Sequence, residues 1–336
     1  MKVDWYPGEN KRCHFPGRRQ DIGLSFTWAG SKRYIPALFR FPQGIVFDLI
    51  TPLGEAECLA YIEKYKDIWE TLSPAQMRHA EDERPYQHIR LEPPAINGKR
   101  TGEFVGILPG ENGHRTPEEA HNYEDKVWEY PELLKNTDYF ICMRYKVRTN
   151  RKTASWWRSL IYWLFPERID SFELRLQSSS RFFALERSYE LPVDFEGVVT
   201  EDFEHPATGE RHLLHFQQPK ADDLEIPERE PLLVALLAYE IEPELPAGEA
   251  LQFDIRIPPP GGEDPAQLSF SYIGIIGGSS STTADKGAHG LPLHHCFSKP
   301  GPKPAPTLAV SLEGVETPRE EGRALLWRRG EGVKNA

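Results

Sequence analysis

An alternation of apolar and polar residues in the second half of the chain restricts the fold more than any other feature. The segment YFICMRYKVRT shows it first, and SFELRLQS and LQFDIRI show it again. Successive side chains of a β-strand point to opposite faces of the sheet, so a period of two predicts strands with one buried face. The segment PLLVALLAYEIE is apolar almost throughout, which predicts a central strand covered on both sides.

The proline content supports a fold built from short strands. The chain has 30 prolines in 336 residues, against an average usage of roughly 5%. Proline fixes φ and has no backbone N–H, so it fits between strands better than inside long helices. The proline- and glycine-rich joints HPATGE, ELPAGE and PPPGGEDP separate the alternating segments. We therefore expect an antiparallel β-sandwich over residues 137–315.

The first part of the chain mixes strand and helix patterns. The segments IGLSFTWAG and YIPALFRFPQGIVFDLI predict strands, and FPQG within the second indicates the turn of a hairpin. A helix is predicted after them, because five apolar residues repeat at helical spacing and charged residues cover the other face. These five are Cys58, Ile62, Tyr65, Trp69 and Leu72.

Two further helix starts are predicted in the same part of the chain. Ser73 and Gln76 flank Pro74 in the pattern of a capping box, and Thr116-Pro117 begins a similar pattern. We expect a mainly β, α+β protein with three parts. An N-terminal α+β domain (1–136) with mixed strands and helices packs with the sandwich domain, and a charged tail (316–336) follows.

Charge and cysteine usage restrict the partners and the compartment. The chain has 51 acidic and 40 basic residues, a net charge of −11. A surface of that sign repels nucleic acid and anionic lipid at long range, which argues against a nucleic-acid partner and against membrane association, although a local basic patch could still bind either. No signal-like or membrane-spanning apolar run is present, and the four cysteines are scattered. These features predict a cytoplasmic protein with free thiols.

The segment SFSYIGIIGGSSSTT raises the question of a phosphate-binding loop. It has no lysine in the register of a Walker loop, and its glycines are not spaced as in a dinucleotide-binding turn or a nucleophile elbow. A junction of strand and turn is the expected structure. The alternative is a nest of backbone N–H groups at Gly277, Gly278 and Ser279 that holds an anion.

Three segments carry a resemblance to a known family. The strings RFPQGIVFDLI, SYIGIIGG and LPLHHCFS, in this order, resemble an uncharacterised family of anaerobic bacterial proteins of similar length. Members of that family commonly continue GIIGG with ADGPT, where this chain has Ser279 to Thr283. The string GIIGGADGPT also occurs in the membrane subunit of sodium-pumping decarboxylases. That likeness is confined here to GIIGG, so it implies no activity.

A cluster of histidines and a cysteine is the candidate metal site. It comprises His289, His294, His295 and Cys296. Zinc requires four ligands in a tetrahedron, and neighbours on a strand point to opposite faces, so His294 and His295 cannot reach one ion. We therefore expect histidines bonded or exposed at strand ends, with no metal and no cofactor.

The segment KVRTNRKTASWWRSLIYWLFPERI (146–169) is the most unusual in composition, because it is both aromatic and basic. Trp157 begins an apolar stripe at helical spacing, and Trp156, Trp163 and Arg158 lie beside it. Packing between the two domains as core is the leading interpretation. The alternatives are a surface for a partner protein or a sugar, and attachment to a membrane surface.

The function predicted from these observations is non-catalytic binding or interaction, since no catalytic motif is found. The expected partner is another protein or a sugar. The alternative is an enzyme that acts on a carbohydrate-like ligand, with carboxylates brought together only by the fold. Two carboxyl groups roughly 5–10 Å apart in an aromatic-lined cleft would favour that alternative.

Overall fold

The computed structural model describes residues 15–102, 104–107, 114–115, 133, 139–148, 156–224, 232–258, 281–301 and 306–335. In this described part, strands account for 57% and helices for 13% of the residues, and the sheets are antiparallel. The predicted fold class, mainly β within α+β, is therefore confirmed.

The elements are numbered in chain order. The first ten strands are β1 (Arg18–Trp28), β2 (Ser31–Phe41), β3 (Gly44–Leu53), β4 (Ala95–Ile96), β5 (Lys99–Arg100), β6 (Phe104–Ile107), β7 (His114–Arg115), β8 (Tyr139–Arg148), β9 (Ser171–Leu176) and β10 (Ser179–Pro192). The others are β11 (Val198–Glu204), β12 (Arg211–Gln217), β13 (Lys220–Leu224), β14 (Leu232–Glu242), β15 (Ala250–Arg256), β16 (Ser281–Lys286), β17 (Pro292–Phe297), β18 (Thr307–Glu320), β19 (Arg323–Arg328) and β20 (Gly332–Asn335). The helices are α1 (Glu55–Tyr65), α2 (Pro74–Asp82) and α3 (Trp156–Leu164).

The described residues divide into two compact units. The first unit takes its residues from Met1–Glu70, Glu83–Ser179 and Arg319–Ala336, and the second from Thr71–Asp82 and Ser180–Pro318. Each unit is described separately below.

The first unit consists of two antiparallel sheets that share a core. One sheet has the order β1-β2-β3-β8-β6, with β7 also on β8, and the other has the order β20-β19-β9-β4-β5. The predicted hairpin at FPQG joins β2 to β3, with Phe41 opposite Gly44. Large apolar side chains from both sheets meet between them. They include Leu24, Trp28, Leu38, Phe47, Val147, Phe172, Leu174, Leu325 and Trp327.

The second unit is also a sandwich of two antiparallel sheets. One sheet has the order β10-β18-β15, and the other has the order β11-β12-β14-β17-β16, with β13 also on β14. The shared core contains Leu191, Phe203, Leu214, Phe216, Leu237, Tyr239, Phe253, Ile255, Val310 and Leu312. Of these strands, the period of two had predicted β15 from LQFDIRI, and Leu251, Phe253 and Ile255 are buried there as expected.

Strand β14 is central in its sheet, as predicted, but it is not covered equally on both sides. Leu233, Ala235, Leu237, Tyr239 and Ile241 face the core and are buried. The residues between them, from Leu232 to Ala238, are only half-buried. A strand with apolar residues at both odd and even positions can therefore have one face that is only partly covered.

Two helix predictions had different outcomes. The capping box before α2 is confirmed, because the Gln76 N–H donates to Ser73 Oγ and the Ser73 N–H donates to Gln76 Oε1, each over 3.1 Å. The apolar stripe predicted to run to Leu72 is interrupted, because α1 ends at Tyr65. Trp69 lies in a short 3₁₀ turn and packs edge-on against Tyr65 at 6.3 Å.

The C-terminal segment, which the sequence suggested was a tail, contains strands. β18 runs to Glu320, and β19 pairs with both β9 and β20. Leu325 and Trp327 of β19 lie in the core of the first unit. The alternation of these two residues is short and surrounded by charged side chains, so it gives only a weak strand signal.

A buried ion pair lies on the outer face of the larger sheet of the first unit. Arg144 on β8 donates from Nε to Asp48 Oδ1 over 2.7 Å and from Nη2 to Asp48 Oδ2 over 2.9 Å. Both side chains are almost fully buried. Two parallel bonds of this kind satisfy most of the charge and fix the register of the two strands.

Candidate functional site

Three predicted binding residues lie outside the described part of the chain. These are Gly277, Gly278 and Ser279, and strand β16 begins after them at Ser281. The hypothesis of an anion-binding nest in this loop stays a prediction.

The aromatic segment forms helix α3, and one face of that helix is exposed. Trp157 is 60% exposed, Ile161 56% and Leu164 43%, at the spacing of one helical face. Phe165 follows the helix and is 78% exposed. The leading interpretation of this stripe as core is therefore wrong for these side chains. Helical periodicity marks an apolar face, but it does not show whether anything covers that face.

Trp163 lies on the other side of α3 and connects the helix to Phe15, Pro16 and Arg18. Its Nε1–H donates to the Pro16 carbonyl oxygen over 2.9 Å. Its ring lies 5.7 Å from the ring of Phe15, and the Arg18 guanidinium lies over it at 4.8 Å. Trp163 is therefore a positioning residue for α3, through packing and a cation–π contact.

The other two predicted residues of this segment differ in what the structure shows. Arg158 is exposed on α3, between Trp157 and the buried Ser159. Trp156 begins the helix, and its side chain lies outside the described residues.

A cavity of about 210 Å³ opens directly after α3 and is bordered by three parts of the first unit. The end of the β2–β3 hairpin contributes Arg40, and the β4–β5 hairpin contributes Lys99 and Arg100. The segment after α3 contributes Pro166 and Glu167, which follow Phe165 in the chain. The exposed apolar face of α3 and the cavity are therefore connected by consecutive residues.

The β4–β5 hairpin holds its two basic residues in place through Asn97 and Gly98. Both have positive φ, 49° and 74°, which is the geometry of a two-residue type I′ turn. Asn97 Oδ1 accepts hydrogen bonds from Asp170 N and Ser171 N at 2.8 and 3.1 Å. Sequence reasoning missed this part of the site, although an Asn-Gly pair between extended residues is a strong hairpin signal.

Arg40 is the residue that gives the cavity its chemical character. Its Nη1 donates to the Glu167 carbonyl oxygen over 3.3 Å. Its Nε–H is buried and has no hydrogen-bond partner among the described residues. Burial lowers the pKa of the Arg40 guanidinium, and the positive charge of Arg18 lowers it further. Both effects disfavour a cation, so an anion in the cavity would stabilise the guanidinium.

The described residues that line the cavity carry a net positive charge. Three of them are cationic, Arg40, Lys99 and Arg100, and one, Glu167, carries a carboxylate. The amide of Asn97 and the hydroxyl of Thr101 also border it, and Thr101 Oγ1 donates to the Pro94 carbonyl oxygen over 2.7 Å. A site with this lining attracts anions.

A second cavity, of about 250 Å³, lies in the second unit where β14 leads into β15. Tyr239 and His294 line it, and their rings stack at 5.2 Å. Glu244 and Glu249 also line it, and Glu249 Oε2 lies 3.1 Å from His205 Nε2. Burial lowers the pKa of His294, and the charge of Glu244 opposes this change only in part.

His289 is bound to a buried carboxylate. Glu240 is fully buried, and its oxygens accept from the backbone N–H groups of His289 and Leu291, each at 3.0 Å. His289 Nδ1 lies 3.2 Å from Glu240 Oε2, and its ring stacks on His215 at 4.1 Å. This arrangement fixes the turn between β16 and β17.

His294 and His295 of the candidate metal cluster lie on opposite faces of β17. The half-buried His294 stacks on Tyr239, whereas His295 is opposite Ala238 in the register of β14 and β17. Cys296 is buried, and burial raises the pKa of its thiol to about 12. Across the described ranges, no group of three or more His, Cys, Asp or Glu side chains is arranged to hold a metal ion.

Comparisons with known proteins give no relative of this chain. No family model matches it, and no curated protein and no solved structure matches it either. In the described part, no helix is both long and apolar enough to span a bilayer.

Proposed function

We propose that this chain is a non-catalytic binding protein that holds an anionic group of its ligand in the cavity at Arg40. The observation that carries the proposal is the cationic lining of this cavity, in which the guanidinium of Arg40 lies with Lys99 and Arg100. Burial and the charge of Arg18 disfavour the Arg40 cation, and an anion in the cavity would stabilise it.

The lining residues suit recognition of a phosphate or carboxylate group. Arginine presents its N–H groups in a fixed fork that matches two oxygens of such anions, and Lys99 and Arg100 add charge. Pockets for whole small molecules are usually about 300–1,000 Å³. A cavity of about 210 Å³ therefore suits one ionic group of a larger ligand.

The same lining supports binding over catalysis. Among the described residues that line the cavity, Glu167 carries the only carboxylate, and none is a histidine or a cysteine. The hydroxyl of Thr101 is already bonded to Pro94. General acid–base or nucleophilic catalysis usually needs a pair of such groups within hydrogen-bonding reach.

The cytoplasmic location expected from the sequence is part of the same proposal. Cys142 and Cys296 are buried thiols, as is usual for proteins of a reducing compartment. Burial also raises the pKa of Cys142, which keeps that thiol protonated.

Calorimetric titration with inorganic phosphate tests the proposal. We expect the wild type to bind phosphate, and Arg40→Met to weaken binding by about tenfold or more, because hydrogen bonds to charged groups are the strong ones. The matched control is Arg187→Met, which removes an exposed arginine from β10 in the other unit. Absence of phosphate binding by the wild type, or equal binding by Arg40→Met, contradicts the proposal.

A second candidate function is hydrolysis of a carbohydrate-like ligand at the cavity of the second unit. The observation that favours it is that Glu244 and Glu249 line the same cavity as the rings of Tyr239 and His294. Glycoside hydrolases use a pair of carboxyl groups that flank the bond they cleave. Loss of activity on model glycosides in both Glu244→Gln and Glu249→Gln would support it, and inactivity of the wild type would exclude it for the glycosides tested.

A further inference from the structure

We infer that the exposed face of α3 and the Arg40 cavity together bind the surface of an anionic lipid bilayer, with a lipid phosphate in the cavity. The inference rests on the proposed function for the cavity and adds the class of ligand. It reverses the expectation, drawn from the net charge, that the protein has no membrane partner.

The first step concerns the apolar face of α3. Trp157, Ile161, Leu164 and Phe165 span two turns, and each is between 43% and 78% exposed. Isolated apolar residues on a surface are ordinary, but a contiguous group of large ones marks an interaction site. Tryptophan among aliphatic side chains is typical of helices that lie in the membrane interface.

The second step concerns the cations next to this face. Arg158 is exposed on α3 itself, and Lys99 and Arg100 are exposed at the adjacent cavity. Arg168 follows the cavity residues Pro166 and Glu167, and its Nε lies 3.2 Å from Asp170 Oδ1 at an exposed position. A short apolar helix bordered by basic side chains combines insertion with attraction to anionic lipid.

The third step concerns the geometry that joins the two parts. Phe165 and the cavity residue Pro166 are consecutive, so their Cα atoms are about 3.8 Å apart. The cavity has room for an ionic group of a ligand but not for acyl chains. A phospholipid satisfies both conditions, because its phosphate enters the cavity while its apolar part stays outside, beside Phe165 and Leu164.

The net charge of −11 does not exclude this contact. At physiological ionic strength, charges are screened over a Debye length of about 8 Å, so the cations at the contact have more influence than distant acidic residues. We therefore expect binding that requires anionic lipid and weakens as salt is added. A partner protein with an acidic, apolar segment is the other occupant that this chemistry fits. A partner protein as the occupant would predict no binding of this chain to lipid alone.

Vesicle sedimentation of the full chain tests the inference. The probes are vesicles of phosphatidylcholine alone and of phosphatidylcholine mixed with phosphatidylglycerol. We expect the wild type to sediment with the anionic vesicles and to stay in the supernatant with the neutral ones. The double variant Ile161→Ser, Phe165→Ser is expected to lower the vesicle affinity by about tenfold or more, since it removes two apolar side chains from the contact.

Matched controls separate this inference from the proposed function. Leu59→Ser removes another exposed apolar side chain of the first unit, on α1 and 48% exposed, and is expected to leave vesicle binding unchanged. The double variant is expected to bind inorganic phosphate as the wild type does, whereas Arg40→Met is expected to lose both phosphate and vesicle binding. Thermal unfolding checks that each variant is folded.

Three results overturn the inference. A wild type that binds phosphate but stays in the supernatant with anionic vesicles shows that the cavity has a different ligand, such as a partner protein. A double variant that sediments as the wild type does shows that α3 is not the contact. Sedimentation of the wild type without any phosphate binding overturns the proposed function of the cavity and the placement of a lipid phosphate in it.

Discussion

Helices α2 and α3 differ in how many of their side chains contact the rest of their own unit. In the second unit, α2 is bonded along its length, because Asp82 Oδ2 accepts from Phe182 N at 2.6 Å and His79 Nδ1 lies 2.9 Å from the Phe182 carbonyl oxygen. In the first unit, α3 is held on one side by Trp163, and its opposite face exposes large apolar side chains. The bonds of α2 to β10 give that helix a structural role, whereas α3 leaves large apolar side chains exposed to solvent.

Glu240 and Arg40 repeat this difference with charged groups. Glu240 accepts from two backbone N–H groups of a turn and lies beside His289. Arg40 has one long bond to a carbonyl oxygen and a buried Nε–H without a partner among the described residues. Glu240 is therefore held by the turn that surrounds it, whereas the guanidinium of Arg40 is less completely bonded among the described residues.

The largest effect is expected from the buried ion pair of the first unit. Asp48→Ala leaves the buried Arg144 guanidinium without its main partner, and we expect the free energy of unfolding to fall by about 3–5 kcal/mol. Arg40→Met is expected to change it by less than about 1 kcal/mol, because it removes an uncompensated charge. Chemical denaturation measures both. A loss for Arg40→Met as large as that for Asp48→Ala would show that Arg40 is structural.

An intermediate effect is expected at Glu240. Burial raises the pKa of this carboxyl, but the hydrogen bonds from His289 and Leu291 outweigh burial, so the pKa lies below its ordinary value. Its contribution to stability is therefore complete above the unfolded-state pKa and is lost as the pH falls through the lowered pKa of the folded state.

Replacement of Glu240 separates this titration from that of other groups. Glu240→Gln is expected to destabilise the protein by about 1–3 kcal/mol at neutral pH. Its stability is also expected to fall less steeply than that of the wild type as the pH is lowered from about 5. Denaturant unfolding over that pH range measures the difference. Parallel curves of stability against pH for the wild type and the variant would contradict a structural role for Glu240.

The smallest effects come from the two helices themselves. Ser73→Ala removes the hydroxyl cap of α2, and we expect a loss of about 1 kcal/mol. Ile161→Ser on α3 is expected to change stability by less than about 0.5 kcal/mol, because its side chain is exposed. Equal losses in thermal unfolding would mean that the face of α3 is covered in solution and would weaken the contrast between the helices.

Local patterns predicted much of the fold and little of the candidate site. The alternation in SFELRLQS and LQFDIRI gave correct strands and buried faces, and Ser73 with Gln76 predicted a helix start that the structure contains. The basic cavity was not predicted, because Arg40, Lys99 and Glu167 are far apart in the chain and each is an ordinary surface residue type. Only the Asn97-Gly98 pair carried a local signal.

Periodicity and turn composition by themselves determined that the protein is mainly β, because neighbouring residues of a strand point to its inner and outer faces in turn. Only the tertiary structure decided which strands share a sheet, and it placed β19 against β9 across more than a hundred residues of chain. It also decided that the apolar stripe of α3 faces outward beside Arg40 instead of lying in a core. Burial depends on what the rest of the chain places over a side chain, and no single segment contains that information.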